Sequence, residues 1–344
     1  MSATRVLVAM SGGVDSSVAA ALLRDAGNEV VGVTLKLWGG ASDSGCCSVG
    51  DVEDARRVAA QLDIPHYVFD FSEDFDAAVV EPYVAAHANG ETPNPCVECN
   101  RGIKFGRLLE RADALGFDAI ATGHHARVER GADGCFRLLR GLDAAKDQSY
   151  VLYMLRQREL ARTLLPIGAM TKADVRAHAA RLGLRTAAKP ESMDVCFIKR
   201  GGRTDFLDDR VAPRPGTVID IEGREIGRHD GVRRFTVGQR RGLGVAAGER
   251  RYVVDVDAAR ATVTLGTRHD LLRDAVAIRK LSFVDQAPEC TRTLTAQTRA
   301  HGSVVPARLM GGHVRFKSPQ PRVAPGQVVA LYHGESLVGG GIAT

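Results

Sequence analysis

A pair of glycines lies between an apolar segment and a helical segment near the start of the chain, and this feature constrains the fold most strongly. Residues 6–9 predict a buried strand, and residues 16–26 have the spacing of a helix. Gly12 and Gly13 permit a tight turn between the two and let the backbone approach an anion. Free amides and the positive end of the helix dipole favour negative charge at this point. We therefore expect a pyrophosphate site here, with further hydroxyl donors from Ser11, Ser16 and Ser17.

Short apolar strands alternate with helical stretches through the first part of the chain. Strands are predicted at residues 6–9, 30–35, 66–69 and 119–122. Helices are predicted at residues 16–26, 51–62, 104–115, 157–164 and 171–182, the last with Thr171 as its N-cap. This alternation predicts an α/β fold with a doubly wound, Rossmann-like parallel sheet covered by helices on both faces.

The pattern changes after about residue 200. Short alternating segments separated by glycine, proline and charged residues follow at 216–219, 252–257, 262–265, 275–281, 293–298, 303–309, 313–316 and 328–332. They predict a small β-rich unit followed by a β-barrel. Because 344 residues exceed what one hydrophobic core usually serves, we predict three domains, at 1–200, 201–270 and 271–344.

The net charge of +5 is distributed unevenly. Residues 1–200 carry a net −2, whereas residues 201–268 carry +3 and residues 269–344 carry +4. A polyanion could be oriented by this asymmetry, although a solvated arginine-rich surface has the same composition. Apolar stretches fall short of a membrane span, and the N-terminus lacks the apolar region of a signal peptide. These observations predict a cytoplasmic protein with no membrane partner.

Seven cysteines are an odd number, which favours metal or redox chemistry over a disulfide framework in such a protein. Cys96 and Cys99 lie in a proline-braced loop, and Cys196 follows 97 residues after Cys99. Two thiols that face each other across a cleft suit a sulfur relay, in which one carries a persulfide and the other resolves it. Cys135 and Cys290 are predicted to be buried small apolar residues. The role of Cys46 and Cys47 is open.

Several segments together resemble the tRNA-specific 2-thiouridylase family. They are SGGVDSS, TPNPCVECN, ATGHHAR, KDQSYVLY, ESMDVCFI, FTVGQRRGLG and GGGI, in the family's order from residue 11 to residue 342. SGGVDSS also resembles the pyrophosphate loop of ATP pyrophosphatases, which cleave ATP between the α and β phosphates. The resemblance implies that Asp15 helps to place Mg²⁺ and phosphate. It implies that ATP is bound by Ala9, Met10, Ser11, Gly12, Gly13, Val14, Asp15, Ser16, Leu35 and Gly123.

The same resemblance implies a catalytic role for two cysteines. Cys99 matches the family nucleophile, and Cys196 matches the cysteine that carries the persulfide. The implied reaction begins when ATP adenylates the C2 carbonyl oxygen of the wobble uridine. Persulfide sulfur from Cys196 then displaces AMP, and a disulfide between Cys99 and Cys196 is left for an outside reductant.

Cys96 departs from the family pattern, since many members carry aspartate at this position. With Cys99 and Cys196 it makes three cysteines that could hold an iron–sulfur cluster able to bind a free sulfide. Zinc is a further possibility, although the 97-residue gap does not match a standard zinc spacing. The persulfide route is the favoured hypothesis, and the cluster stays open as its alternative.

The resemblance also implies how tRNA is bound. The implied contacts are Asn94, beside the target base, and Lys146, Asp147, Gln148, Thr298 and Arg299. A basic patch for phosphates is predicted at Arg240 and Arg241, with Arg233 and Arg234 just upstream. The implied substrates are the tRNAs for lysine, glutamate and glutamine, and the implied sulfur donor is a cysteine desulfurase or a sulfur-relay protein.

Two other classes of protein share part of this pattern. An amide-forming ATP pyrophosphatase would explain the glycine loop but neither the cysteine pair nor the basic β domains. A non-catalytic RNA-binding protein with a degenerate nucleotide site would explain the basic domains, whereas the intact loop, Asp15 and both cysteines argue against it.

Overall fold

The computed structural model describes residues 3–38, 48–190, 195–198, 202–245, 250–300 and 302–344. The strands of its first part, in chain order, are β1 (Arg5–Ala9), β2 (Glu29–Lys36), β3 (His66–Asp70), β4 (Ala119–Ala121), β5 (Ala126–Arg130), β6 (Phe136–Arg140) and β7 (Thr163–Leu164). The α-helices are α1 (Val14–Asp25), α2 (Val49–Gln61), α3 (Ser72–Phe75), α4 (Glu81–Ala88), α5 (Pro95–Glu98), α6 (Leu108–Ala114), α7 (Gln157–Leu160), α8 (Lys172–Arg181) and α9 (Arg203–Asp208). Two π-helical segments, Asp76–Val80 and Cys99–Arg107, join α3 to α4 and α5 to α6.

A five-stranded parallel sheet forms the core of the first unit, in the order β3-β2-β1-β4-β7. Strand order therefore reverses at β1, and ligands of such sheets bind beyond the carboxyl ends of the strands at this point. In β1, Leu7 belongs to one apolar cluster, whereas Val6 and Val8 belong to another. Their alternation explains why the strand is apolar throughout, since both faces of the sheet are covered. The predicted fold class is confirmed.

The helix predicted at residues 157–164 was wrong in its second half. Only Gln157–Leu160 is helical, and Thr163–Leu164 forms the edge strand β7 beside β4. The amide of Ile120 donates to the carbonyl of Arg162, so pairing with the open edge of β4 replaces further helical hydrogen bonds. The N-cap predicted for the next helix agrees with the structure, because Thr171 Oγ1 accepts from the amide of Asp174 in a capping box.

A small mixed sheet follows in the order β10-β11-β8-β9. Its strands are β8 (Gly216–Ile219), β9 (Glu225–His229), β10 (Tyr252–Asp257) and β11 (Thr262–Gly266). This sheet has an apolar cluster of its own, built on Val218, Val253, Val263 and Leu265. Short 3₁₀ helices occur at Val232–Arg234 and His269–Leu271, as they do earlier at Ser149–Leu152 and Arg185–Ala188.

The last part of the chain is a closed six-stranded barrel. Its strands are β12 (Leu272–Phe283), β13 (Leu294–Gln297), β14 (Val305–Met310), β15 (His313–Pro321), β16 (Val328–His333) and β17 (Ser336–Ala343). The barrel closes because β12 pairs with both β15 and β17. Strand β17 was not predicted, since its glycines disfavour strands in isolation. In the barrel they permit close approach: a Cβ at Gly339 would lie 2.2 Å from the carbonyl oxygen of Ser282.

The hairpin β5–β6 joins the first unit to the barrel and was not predicted either. Strand β6 pairs with β17 through Leu139 with Ser336 and Leu138 with Leu337. The barrel sheet is thereby extended by two strands that belong to the first part of the chain. Within the described ranges, no helix is long and apolar enough to cross a membrane.

Candidate active site

The glycine loop lies at the carboxyl end of β1, where the strand order reverses. Gly12 adopts a left-handed conformation with φ of 70°, and Gly13 is extended and precedes α1. The amide of Ser11 donates to Ser16 Oγ at 3.2 Å, and Ser17 Oγ donates to the carbonyl of Gly13 at 2.8 Å. These bonds hold the loop as a turn that ends on the amides of α1, which suits an anion.

Neighbouring elements pack so closely on the loop that only glycine fits at two positions. A Cβ at Gly12 would lie 2.2 Å from the carbonyl oxygen of Asp51, and one at Gly123 would lie 2.7 Å from the amide nitrogen of Ser16. Gly123 follows β4, so the ends of β1 and β4 meet at the start of α1. Leu35, the other predicted nucleoside contact, is buried near the end of β2.

Asp15 is held by two basic side chains that the sequence analysis did not single out. Lys172 Nζ donates to both carboxylate oxygens, at 2.8 and 2.7 Å, and His125 Nε2 lies 3.3 Å from Oδ1. Burial acts to raise the pKa of Asp15, but the hydrogen bonds from His125 and Lys172 outweigh it and lower the pKa below its ordinary value. Asp15 is therefore a charged carboxylate at neutral pH.

A second lysine, also missed from the sequence, lies against the loop itself. Lys189 Nζ donates to the carbonyl of Gly12 at 2.9 Å and to carboxylate oxygens of Asp51 and Asp54, each at 2.7 Å. Burial opposes the charge, yet the hydrogen bonds with both aspartates raise the pKa of Lys189. No local pattern distinguished Lys172, and the one available signal for Lys189 was its position two residues before the segment ESMDVCFI.

The segment predicted as a loop around Cys96 and Cys99 is helical instead: Cys96 lies in α5, and Cys99 begins the π-helical segment that follows. Asn94 Oδ1 accepts from the amide of Cys96 at 3.0 Å, which caps α5. Cys99 is 7% exposed and belongs to a large apolar cluster, and Cys196 packs against the same cluster while Cys96 is not among its members. Cys96 and Cys196 are half-buried, whereas Cys290, which was predicted to be buried, is exposed. Cys46, Cys47 and residues 191–194 lie outside the described residues.

An aromatic cage anchors the residue that follows Cys196. The ring of Phe197 has edge contacts with Phe75, Tyr83 and Phe206, at centroid distances of 5.7, 5.5 and 5.4 Å, and a tilted contact with Trp38 at 6.1 Å. The large buried area of this cage ties Cys196 to the core from one side. Leu35 belongs to the same apolar cluster, so nucleotide-site and cysteine residues share one core.

The residues predicted to contact tRNA differ in exposure. Lys146 is half-buried, Gln148 is exposed, and Asp147 is buried, with its carboxylate bonded to protein groups. Thr298 is half-buried and Arg299 is exposed at the end of β13. In the predicted basic patch, Arg240 and Arg241 are exposed.

Arg233 differs from the rest of that patch. Its guanidinium is buried and lies 2.6 Å from Asp208, which also pairs with Arg234 at 2.6 Å. The charge of Arg233 is therefore neutralised inside the protein.

A parallel sheet in this order, with a glycine loop and a half-buried carboxylate where the strand order reverses, defines a nucleotide-binding protein of the ATP pyrophosphatase class. Family models described as a tRNA methyl transferase HUP domain, a tRNA methyl transferase PRC-barrel domain and an aminomethyltransferase beta-barrel domain match residues 4–200, 204–267 and 273–343. The chain belongs to the tRNA-specific 2-thiouridylase family, as its full-length relatives make plain.

Three of those relatives are named tRNA-specific 2-thiouridylase MnmA. The protein of Roseiflexus sp. (strain RS-1) is 48% identical over 366 residues, which cover 98% of each chain. That of Geotalea uraniireducens (strain Rf4) is 45% identical over 352 residues, 98% of this chain and 94% of its own. That of Moorella thermoacetica is 47% identical over 350 residues, 97% of this chain and 98% of its own. The similarity therefore extends through the sheet, the small β unit and the barrel.

Proposed function

We propose that this chain is an ATP-dependent tRNA sulfurtransferase that converts the wobble uridine of tRNA to 2-thiouridine. The observation that carries the proposal is the packing of Cys99 and Cys196, 97 residues apart, on the apolar cluster that also contains Leu35. An ATP pyrophosphatase that forms amides would need no such pair of thiols on its core. Relatives of 45–49% identity that bear the thiouridylase name support the same reaction.

ATP is the activating substrate, and the loop from Ala9 to Ser16, with Leu35 and Gly123, forms its site. The end of β4 lies close to the start of α1, where the strand order reverses at β1. This closeness supports the assignment, because backbone amides at that point favour an anion. Lys172 and Lys189 add two cations that stabilise charge developing on the leaving pyrophosphate. Asp15 suits Mg²⁺, which binds through one or two carboxylates plus phosphate oxygens.

The sulfur transfer uses the two cysteines in sequence. The C2 oxygen of uridine attacks the α phosphorus of ATP and pyrophosphate leaves. The terminal sulfur of the Cys196 persulfide then bonds to C2 and AMP leaves with the oxygen. The Cys99 thiolate attacks Sγ of Cys196, which frees thiouridine and forms a Cys99–Cys196 disulfide. An external two-electron reductant restores both thiols.

The alternative route through an iron–sulfur cluster does not fit the side chains. In the described residues, which include Cys96, Cys99 and Cys196, no group of three or more His, Cys, Asp or Glu side chains is arranged to hold a metal ion. Cys96 is the second residue of α5, and its amide donates to Asn94 Oδ1. We therefore derive no step through such a cluster.

The remaining assignments are proposals of the same kind. We assign residues 1–200 to catalysis, 201–270 to a small central β domain and 271–344 to a tRNA-contacting barrel. The tRNA contacts are Asn94, Lys146, Gln148, Thr298 and Arg299, while Asp147, whose carboxylate is bonded inside the protein, acts by holding its neighbours in place. The substrates are tRNAs for lysine, glutamate and glutamine, the donor is a cysteine desulfurase or relay protein, and the compartment is the cytoplasm.

Thiouridine formation by metal-free, anaerobically purified protein tests the proposal. The assay contains unmodified tRNA, ATP, Mg²⁺ and a persulfide donor, and it compares the wild type with Cys96→Ala, Cys99→Ala and Cys196→Ala. Cys135→Ala is the matched control, since this cysteine is half-buried on the hairpin loop away from the cluster. We expect product from the wild type, the control and Cys96→Ala, and none from the other two.

Two outcomes would contradict the proposal in different ways. Activity that appears only after iron–sulfur reconstitution, and that all three changes abolish, would replace the relay by a cluster. ATP cleavage without any thiouridine, unaffected by Cys99→Ala and Cys196→Ala, would indicate an ATP pyrophosphatase with another acceptor.

A further inference from the structure

Arg140, at the end of β6, is bonded to segments from two different parts of the chain. Its Nη1 donates to Asp147 Oδ2 at 2.6 Å and to Gln297 Oε1 at 2.8 Å. One guanidinium nitrogen carries two hydrogens, so this single group bonds to both oxygens at once. The guanidinium also lies over the ring of Tyr332, with 3.6 Å from its central carbon to the ring centroid.

Asp147 transmits this contact to the segment 146–148. Its Oδ1 accepts from the amides of Gly141 and Ser149, each at 3.0 Å, while Oδ2 accepts from Arg140. Both carboxylate oxygens are thus bonded within the protein, and the side chain is 7% exposed. The segment that carries Lys146 and Gln148 is therefore held by a partly buried ion pair.

Gln297 transmits the same contact to the barrel residues that follow it. Because Oε1 accepts from Arg140, the amide group is oriented with Nε2 toward the next turn. Nε2 donates to the carbonyls of Arg299 at 3.0 Å and Ala300 at 2.9 Å. Gln297 is 3% exposed, so its orientation is set by these partners and not by water.

Strand pairing holds Arg140 between two rigid elements. Strand β6 pairs with β17, the amide of Arg140 donates to the carbonyl of Glu335 at 3.0 Å, and Ser149 Oγ lies 3.0 Å from Tyr332 Oη. Segments 146–148 and 298–299 are thus fastened to the same guanidinium although they are about 150 residues apart in sequence.

We propose that Lys146, Gln148, Thr298 and Arg299 form one surface for the tRNA sugar-phosphate backbone, and that Arg140 is the positioning residue that holds its two halves in register. This inference rests on the proposed function, because it needs tRNA as the ligand. Phosphate contacts fix the register of a nucleic acid on a protein, so a relative shift of the two halves weakens binding of both.

Binding of unmodified tRNA tests the surface, with Arg140→Met, the double change Arg140→Met/Asp147→Asn and the control Arg137→Met. Arg137 lies on the same strand, but it is exposed and pairs with Asp133 in its own hairpin. The dissociation constants of tRNA and of ATP are measured for each protein, together with the unfolding temperature and the dependence of tRNA affinity on salt. Thiolation rates at saturating tRNA complete the comparison.

For Arg140→Met we expect tRNA affinity to fall about tenfold, which corresponds to about 1.4 kcal/mol. The slope of log affinity against log salt should become shallower, by an amount that corresponds to the loss of ~1–2 phosphate contacts. ATP affinity and the rate at saturating tRNA should stay at wild-type values, and Arg137→Met should match the wild type throughout. In the double variant, which leaves no unpaired buried carboxylate, stability should recover but tRNA affinity should not.

Other results would overturn the inference. Wild-type tRNA affinity in Arg140→Met, or affinity that recovers together with stability in the double variant, would reduce Arg140 to a structural role. A wild-type protein that does not bind tRNA at all would instead contradict the proposed function, and this surface with it.

Discussion

Replacing Lys172 by methionine tests how the nucleotide site balances its charges. Lys172 binds both oxygens of Asp15, and the two side chains are 14% and 30% exposed. Hydrogen bonds to charged groups contribute roughly 1.5–3 kcal/mol, and the partial exposure of Asp15 favours the lower half of this range. We therefore expect the free energy of unfolding of the catalytic unit to fall by about 1.5–2 kcal/mol, or its unfolding temperature by ~3–8 °C.

The same change removes a cation from the proposed phosphate site. A loss of about 2 kcal/mol in binding corresponds to roughly 30-fold weaker ATP affinity, measurable by calorimetry with and without Mg²⁺. Lys36→Met is the matched control, because Lys36 also lies 2.7 Å from a carboxylate, that of Asp70, but both side chains are about half exposed. An exposed pair of this kind contributes at most about 1 kcal/mol.

The pH dependence of stability gives an independent check on Lys172. The folded-state pKa of Asp15 is lowered, so the contribution of the pair is complete above the ordinary aspartate pKa and is lost as pH falls through the lower folded value. The stability difference between the wild type and Lys172→Met should therefore be constant from pH 5 upward and shrink only below about pH 4. Equal stability and equal ATP affinity for Lys172→Met and Lys36→Met would refute this account of the site.

Three further changes have defined expectations. Gly12→Ala should abolish ATP binding and lower stability, because its Cβ would meet the carbonyl of Asp51. The control Gly27→Ala has a similar φ but lies in open space, so it should lower stability only slightly. Equal effects of the two changes on ATP affinity would contradict this. Burial, with repulsion from a nearby arginine, lowers the pKa of His87 to about 4. The free energy of unfolding of the wild type should therefore fall by about 3 kcal/mol between pH 6.5 and pH 4 as His87 becomes protonated. Urea unfolding of His87→Phe should lack this pH dependence. Asn94→Ala removes a helix cap and should cost about 1 kcal/mol of stability; an unchanged unfolding curve would exclude the cap.

The glycine turn between β1 and α1 was predictable because its determinants are local. Gly12 and Gly13 follow an apolar strand directly, and a turn between strand and helix depends on the residues within it. Lys172 was not predictable as a partner of Asp15, since 157 residues separate them and no local pattern distinguishes this lysine from others. The pairing depends on where α8 docks against α1, which is a matter of packing.

Strands β5, β6, β9 and β17 were not predicted, and three of them can be explained by their pairing. The glycines of β17 have poor strand propensity, and β5–β6 is a short polar hairpin, so neither stands out in sequence. Strand β17 forms because it pairs with both β12 and β16 and so closes the barrel, and β6 forms because it pairs with β17 in turn. Thr163–Leu164 likewise became a strand at the free edge of β4.

By itself, the sequence determined the alternation of strands and helices, the glycine loop after β1, the change to β structure after residue 200 and the three candidate cysteines. These follow from periodicity and turn chemistry, which act over a few residues. Only the tertiary structure decided that Cys99 and Cys196 pack on one cluster without Cys96, and that Lys172 neutralises Asp15. It alone decided that Arg140 joins the segments around Asp147 and Gln297, because such contacts arise when distant elements bury their surfaces together.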